Sequence, residues 1–324
     1  MRRFNTLRTG HDLSTIALGV TLVLTLLWGA GTSAWADDDL EDKLSQVGAV
    51  YGEAYSSPFI YAHGPNQNSA MYQSAHIPWS GLTFGIGVKV MATRIKEEDQ
   101  YFQKVLEDED LGKYDPDYAG QTGDVVMSGP TIFGNTEQVG SVKGYVGGTE
   151  VFNIPTITGL YDTRMVPLAA PEAYVGGLVG LKLTLRYFPE LSMGSYGKTK
   201  YFGYGLQWNI NGLLKDLPVD IMVGFFNQQL KVGSLIDSNA STIFAGVSHD
   251  FSPVTLYGGL AAETSDMTVA YTFVEEDQDV SFEVDGRQKS RFTLGATLDI
   301  LLKLNLEMAY GKMATYSAGL MFGF

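Results

Sequence analysis

Between residue 81 and the carboxyl terminus the chain keeps returning to one pattern: large apolar residues at every second position, with small or polar residues between them. Leu82, Phe84, Ile86, Val88, Val90 and Ala92 share one face, and Thr83, Gly85, Gly87, Lys89 and Thr93 share the other. A period of two marks an extended strand whose faces meet different surroundings. The split recurs near 173–188, where Val175, Val179, Leu181, Leu183, Leu185 and Tyr187 oppose Gly176, Gly180, Lys182, Thr184 and Arg186. It returns at 201–213, 218–229, 291–300 and 304–311, and with a less polar second face at 240–250 and 253–263. Such segments run to roughly 9–15 residues, longer than the 5–6 of globular sheets and suited to a tilted bilayer crossing. The pattern predicts an all-β protein, a transmembrane antiparallel β-barrel of about 10 strands within a range of 8–14.

The connections set its orientation. Short links at 213–218, 250–253 and 301–303 alternate with longer polar ones at 96–121, 190–199, 229–241 and 275–290, as periplasmic turns alternate with external loops. The link at 312–314 is short although it falls on the external side. The stretch 253–275 reads as one long strand running into an external hairpin, or as two strands. One further strand is expected within 122–154. Residues 128–170, with Pro130, Pro155, Pro167 and Pro171, read as a long irregular passage at the barrel mouth. Before residue 81 the alternation stops. Leu40, Leu44, Val47 and Tyr51 predict a short acidic helix over 38–51, and breakers follow at Pro58, Pro65 and Pro78. This leader is expected to plug the barrel or cap it from the periplasm.

The two ends of the chain carry addresses. Arg2, Arg3 and Arg8 precede an apolar run over 16–28 and the small-residue site Ala34-Trp35-Ala36, the layout of a cleaved secretory signal. The expected division is therefore 1–36 signal peptide, 37–80 plug or cap, and 81–324 barrel. The closing octapeptide, from Ser317 through Gly319 and Phe322 to Phe324, resembles the terminal strand by which the assembly machinery recognises bacterial outer-membrane barrels. The resemblance implies a closing strand paired with the one that begins near Gly81. It also implies residence in a Gram-negative outer membrane, among its lipids and lipopolysaccharide.

Composition narrows the chemistry. There are no cysteines, hence no disulfide framework and no thiol nucleophile. Loss of residues 1–36 removes three arginines and one aspartate, leaving 19 basic and 35 acidic residues and a net charge of −16, which disfavours a nucleic-acid partner. The 38 glycines, 18 tyrosines and 17 phenylalanines suit a crowded lumen and interfacial aromatic girdles. Nine acids crowd 96–118, but without the spacing of a calcium loop, so a solvated loop is expected there and no metal. After residue 36 the histidines are His63, His76 and His249. No Gly-x-Ser-x-Gly or His-Glu-x-x-His motif accompanies them, so neither a catalytic residue nor a cofactor is assigned and an outer-membrane enzyme is the least favoured reading. Parity places Lys89, Lys182, Arg186, Asp220, Arg291, Asp299 and Glu307 toward the lumen. Mixed signs suit a charge-paired interior better than a selective pore, which favours one sign at its constriction.

Tyr72-Gln-Ser-Ala-His76 with Gly81-Leu-Thr-Phe-Gly-Ile-Gly-Val-Lys89, and Leu256-Tyr-Gly-Gly-Leu260 leading to Met267-Thr-Val-Ala-Tyr271, resemble an uncharacterised outer-membrane barrel family of Bacteroidota-type bacteria. The likeness runs from about residue 45 to the end and implies a barrel without assigning chemistry. The chain is also similar, more weakly, to long-chain fatty-acid transporters, which place an N-terminal hatch before a barrel, although it is too short for their fourteen strands. The expected function is passive passage or binding of a small molecule, apolar ones included. The rival is a non-conducting structural or surface-interaction barrel.

Overall fold

The computed structural model describes residues 43–192, 198–214, 217–274 and 277–323; the expected signal peptide, residues 37–42 and Phe324 lie outside them. Helix α1 (Ala49–Gln67) and an extended stretch precede β1 (Thr83–Arg94). Then come β2 (Tyr101–Asp110), β3 (Thr122–Pro130), β4 (Val139–Val146) and β5 (Thr149–Thr158), followed by β6 (Met165–Leu178), β7 (Leu181–Ser192) and β8 (Lys198–Asn209). The chain continues through β9 (Asp220–Val232), β10 (Ile236–Asp250), β11 (Val254–Phe273), β12 (Gln278–Asp285), β13 (Ser290–Asp299), β14 (Lys303–Tyr310) and β15 (Ala314–Gly323).

Ten strands close on themselves in the order β1-β6-β7-β8-β9-β10-β11-β13-β14-β15, all pairs antiparallel, with β15 returning to β1. The closing register runs from Gly85 opposite Gly323 to Thr93 opposite Thr315, so the chain-terminal strand seals the barrel against its first. Closure leaves no open edge among the ten. Outward positions are apolar all round: Phe84 and Ile86, Leu183 and Leu185, Phe202 and Leu206, Ile243, Leu256 and Leu260, Leu294, Leu306 and Tyr316 are exposed. An encircling apolar belt of this extent suits lipid and would be a liability in water. Among the described residues no helix is long and apolar enough to cross a membrane.

The strand pattern differs from expectation in ways that have physical causes. The run at 173–188 is a hairpin, not one strand: β6 and β7 meet at Val179 and Gly180, with φ of 49° and 73°. A two-residue turn by itself inverts the parity, since it sets Leu178 opposite Leu181; the bulge between Gly176 and Leu178 adds one residue that restores it, so the alternation reads straight through the hairpin. Pro167 and Pro171 lie within β6, which pairs with β7 only from Glu172 to Leu178. Both prolines thus fall where one neighbour makes no ladder bonds and a missing N–H is tolerated. The expected long link at 229–241 shrinks to three residues between β9 and β10. Strand β11 is a single long strand; its lower half pairs with β13 and its upper half, from Asp266 to Phe273, forms a hairpin with β12.

Residues 96–158, expected as a polar loop, an uncertain strand and an irregular passage, form a second sheet instead, ordered β2-β3-β4-β5. Its inner face, with Val125, Met127, Val142 and Phe152, packs in one buried cluster with Leu44, Val47, Tyr51 and Tyr55 of the amino-terminal segment and with Tyr271 and Val280 of the β11–β12 hairpin. The sheet and that hairpin stand together at one end of the barrel. The opposite end carries the short turns after β6, β10 and β13.

Candidate functional site

The lumen is occupied by the protein's own chain. At the sheet end, Lys43 Nζ donates to Thr158 Oγ1 at 2.9 Å, Ser45 O accepts from Val274 N at 2.9 Å, and Tyr51 OH accepts from Thr156 Oγ1 at 2.7 Å. Helix α1 descends from there. It is buried on nearly all sides, from Tyr55 to Ile60 and again from Ala62 to Gln67. Small residues let it fit: a Cβ on Gly52 would lie 2.3 Å from the Tyr271 hydroxyl, and one on Gly64 would lie 2.0 Å from Ser265 Oγ. The helix runs through Pro58 and Pro65, which sequence alone marks as breakers. Ser56 and Ser57 turn their hydroxyls back to Gly52 O and Glu53 O, at 2.7 and 2.6 Å, satisfying polar groups inside the narrow passage.

Below Gln67 the segment is extended, and the barrel wall holds its backbone. The terminal carbonyls of a helix lack intrahelical partners and carry partial negative charge, so cations are favoured there. Two arginines supply them. Arg291 donates to Pro65 O at 3.1 Å and to Ser69 Oγ. Arg186 donates to Gln67 O, Ser69 O and Ala70 O at 3.2, 3.0 and 3.0 Å. Ala70 sits at φ 61°, a left-handed conformation uncommon for a residue with a side chain. Glu307 pins it by accepting from Ala70 N at 2.9 Å. Further down, Gln207 donates to Met71 O at 3.0 Å, Thr297 to Gln73 O at 2.6 Å and Asn209 to Ala75 O at 2.7 Å. Tyr72 packs edge-on to Phe244 and stacks with Tyr257, their centroids 4.6 and 6.1 Å away. The segment leaves at the short-turn end, where Val179 N and Gly180 N donate to Trp79 O and Pro78 O.

Of the charges that parity turned inward, Lys89, Lys182, Arg186, Arg291 and Glu307 are buried in the lumen. Lys89 donates to Asn305 Oδ1 at 3.1 Å, and the Lys182 ammonium lies 5.3 Å from the centre of the Tyr174 ring. Asp220 is only partly buried, at the short-turn end, within 3.2 Å of His76 Nδ1 and 3.1 Å of Asn209 Nδ2. Asp299 has inward parity but sits at the rim, half exposed beside Lys303 at 3.0 Å. Ser317 and Gly319 lie on the lumen side of β15, and Phe322 faces Ile86 in the closing register.

Two buried carboxylates completing this interior were missed by the sequence reading. Glu172 receives Arg186 Nε at 2.9 Å and Gln73 Nε2 at 3.2 Å. Glu263 receives Arg291 Nε at 2.7 Å and Gln288 Nε2 at 2.6 Å. Both keep the inward parity of their strands, Glu172 with Tyr174 and Gly176, Glu263 with Tyr257 and Ala261. Glu172 stands one position before the run at 173–188 and Glu263 is the last position of the run at 253–263, so carrying the alternation to those edges would have found them.

Outside the lumen several titratable groups serve local structure. In the acid-rich stretch Asp110 and Asp115 accept from the backbone of Gly112 and Asp117, and Glu109 pairs with Lys113 at 3.1 Å. Among the described residues no group of three or more metal-ligating side chains converges. His249 meets Pro218 O at 2.7 Å on the outer surface, and His63 is buried against Phe59.

Several solved barrels are similar to this chain at low identity. A loop-deletion mutant of OmpT, an outer membrane protein of Vibrio cholerae, matches at 12% identity and a TM-score of 0.25, covering 76% of this chain and 100% of that one. The outer membrane protease OmpT from Escherichia coli matches at 10% and 0.29, covering 77% and 98%. An anion-selective porin from Comamonas acidovorans matches at 13% and 0.20, covering 75% and 99%. No curated protein matches at a significant level. Residues 14–324 match one family model, and the chain belongs to that family, the family of unknown function DUF6588.

Proposed function

We propose that this chain is a self-plugged outer-membrane barrel, non-conducting at rest, whose role is to hold a β-rich platform at the cell surface. The observation that carries the reading is the lumen segment over 49–79, whose carbonyls are held by Arg186 and Arg291 from opposite sides of the wall. Of the two expected functions this geometry favours the surface-interaction barrel over passive passage. A route for a small molecule would need the wall contacts of residues 65–75 to break together. The apolar belt faces lipid, the short turns face the periplasm, and the second sheet with the β11–β12 hairpin faces outward, following the usual disposition of turns and loops. Export through residues 1–36 and assembly through β15 belong to the same reading.

Planar-bilayer recording of the purified full-length protein tests it. The intact chain should be silent, and the double variant Arg186→Ala/Arg291→Ala, folded by gel mobility, should show flickering openings as the segment loosens. Steady conductance from the intact chain would overturn the closed reading and restore passage as the function.

A further inference from the structure

The direction in which the plug runs has a topological consequence. Residues 43–48 contact Thr158 and Val274 at the sheet end, α1 enters the barrel from that end, and Pro78 and Trp79 emerge beside Val179 and Gly180 at the short-turn end. Only then does β1 turn back up the wall, starting at Thr83. Strand β15 also finishes at the short-turn end, since Gly323 lies opposite Gly85 near the start of β1. The chain therefore passes through the barrel once along its axis before building the wall, and residues 43–48 and Gly323 lie on opposite sides of the belt. The distance is within reach: an extended chain covers up to about 3.3 Å per residue, and the apolar band of such barrels is about 25 Å tall.

We infer that the barrel carries its own amino-terminal segment across the membrane, so that residues 43–48 stand on the cell surface while β15 ends in the periplasm. The inference takes its sidedness from the proposed function; the threading itself does not depend on it. Nothing in the wall would draw a loose leader inward unless matched groups awaited it, and they do. Two arginine–glutamate pairs meet the helix end, Glu307 meets Ala70 N, and Ser238 donates to Gln67 Oε1 at 2.9 Å. Arg287, stacked 3.7 Å from the centre of the Tyr61 ring and bonded to Asp99 at 3.0 Å, clasps the helix where it leaves the barrel toward the second sheet.

The absence of cysteine makes the test direct, because any thiol introduced is the only one. Gln46, Glu107 and Ser252 are exposed, respectively just ahead of α1, on β2 of the second sheet, and in the turn between β10 and β11. The variants Gln46→Cys, Glu107→Cys and Ser252→Cys would each be treated with a membrane-impermeant maleimide on intact cells and again after outer-membrane permeabilisation, with heat-modifiable mobility confirming folding. The expected result is labelling of Q46C and E107C on intact cells, with S252C labelled only after permeabilisation. If E107C labels on intact cells and Q46C does not, the threading is overturned while the orientation stands. If S252C alone labels on intact cells, with Q46C and E107C protected together, the surface location is overturned with the orientation, and the threading stands.

Discussion

Arg186 is completely buried and donates to Glu172 on β6, Gln228 on β9 and three plug carbonyls, so a single side chain ties wall to plug. Removing one member of a buried ion pair strands the other charge and costs about 3–5 kcal/mol, whereas replacing both by apolar groups of similar size is often near neutral. Arg186→Ala should therefore lower barrel stability by about that amount, and Arg186→Met/Glu172→Leu should recover most of it, read as urea midpoints in lipid vesicles. A double variant as damaged as the single one would mean that the plug carbonyls, not Glu172, set the requirement. Parity alone made Lys89, Lys182, Arg186, Arg291 and Glu307 legible in the sequence. It could not supply their partners. Tyr257 donates to Glu307 at 3.3 Å and Arg186 reaches Gln67 O, contacts fixed by barrel closure and by the plug's path rather than by anything local.

Helix α1 shows where local signals mislead. Its sequence puts prolines at 58 and 65 and offers no apolar stripe, yet it stays helical because the second sheet, the β11–β12 hairpin and the barrel mouth surround it. The spacing of Leu44, Val47 and Tyr51 did mark buried positions, but the helix expected over 38–51 is interrupted: residues 45–48 form a turn, and α1 begins only at Ala49 and runs to Gln67. The second sheet was hidden for a related reason: its strands bury one face against α1 rather than presenting a lipid face, so they lack the long apolar alternation of the barrel. One residue reports on the fit. His63 lies about one turn above Asn66, which receives Thr93 Oγ1 at 2.8 Å near the upper end of β1, and so sits at the rim. Burial lowers its imidazole from 6.5 to about 4, and among the described residues its Nε2 finds no hydrogen-bond partner. A folded value below the unfolded one means the contribution is whole above pH 6.5 and is lost as pH falls toward about 4. Between pH 7.5 and pH 4.5 the natural chain should lose about 2–3 kcal/mol more than His63→Phe, as measured by urea unfolding at both pH values. Parallel pH profiles for the two proteins would show that the imidazole stays wet.

For the molecule as a whole, two kinds of exposed surface coexist on one chain, and relative exposure cannot tell them apart. Leu306 in mid-β14 is 54% exposed and Val105 on β2 is 51% exposed. In water both would accept an arginine at little cost, since surface substitutions usually change stability by no more than about 0.5 kcal/mol. If the belt meets lipid, the two sites diverge. An arginine on the lipid face near the midplane of such a barrel costs about 2–4 kcal/mol, falling toward zero near the interfaces. Leu306→Arg should therefore depress the folded fraction in phospholipid vesicles by that amount, and Val105→Arg should leave it nearly unchanged. A third variant, Leu304→Arg, nearer the short-turn rim on the same face and 39% exposed, should fall between them. Folding is read on gels as the heat-sensitive fast-migrating form across a urea series. Equal midpoints for L306R and V105R would place water, not lipid, around the belt, and would unseat the membrane reading whatever the plug does.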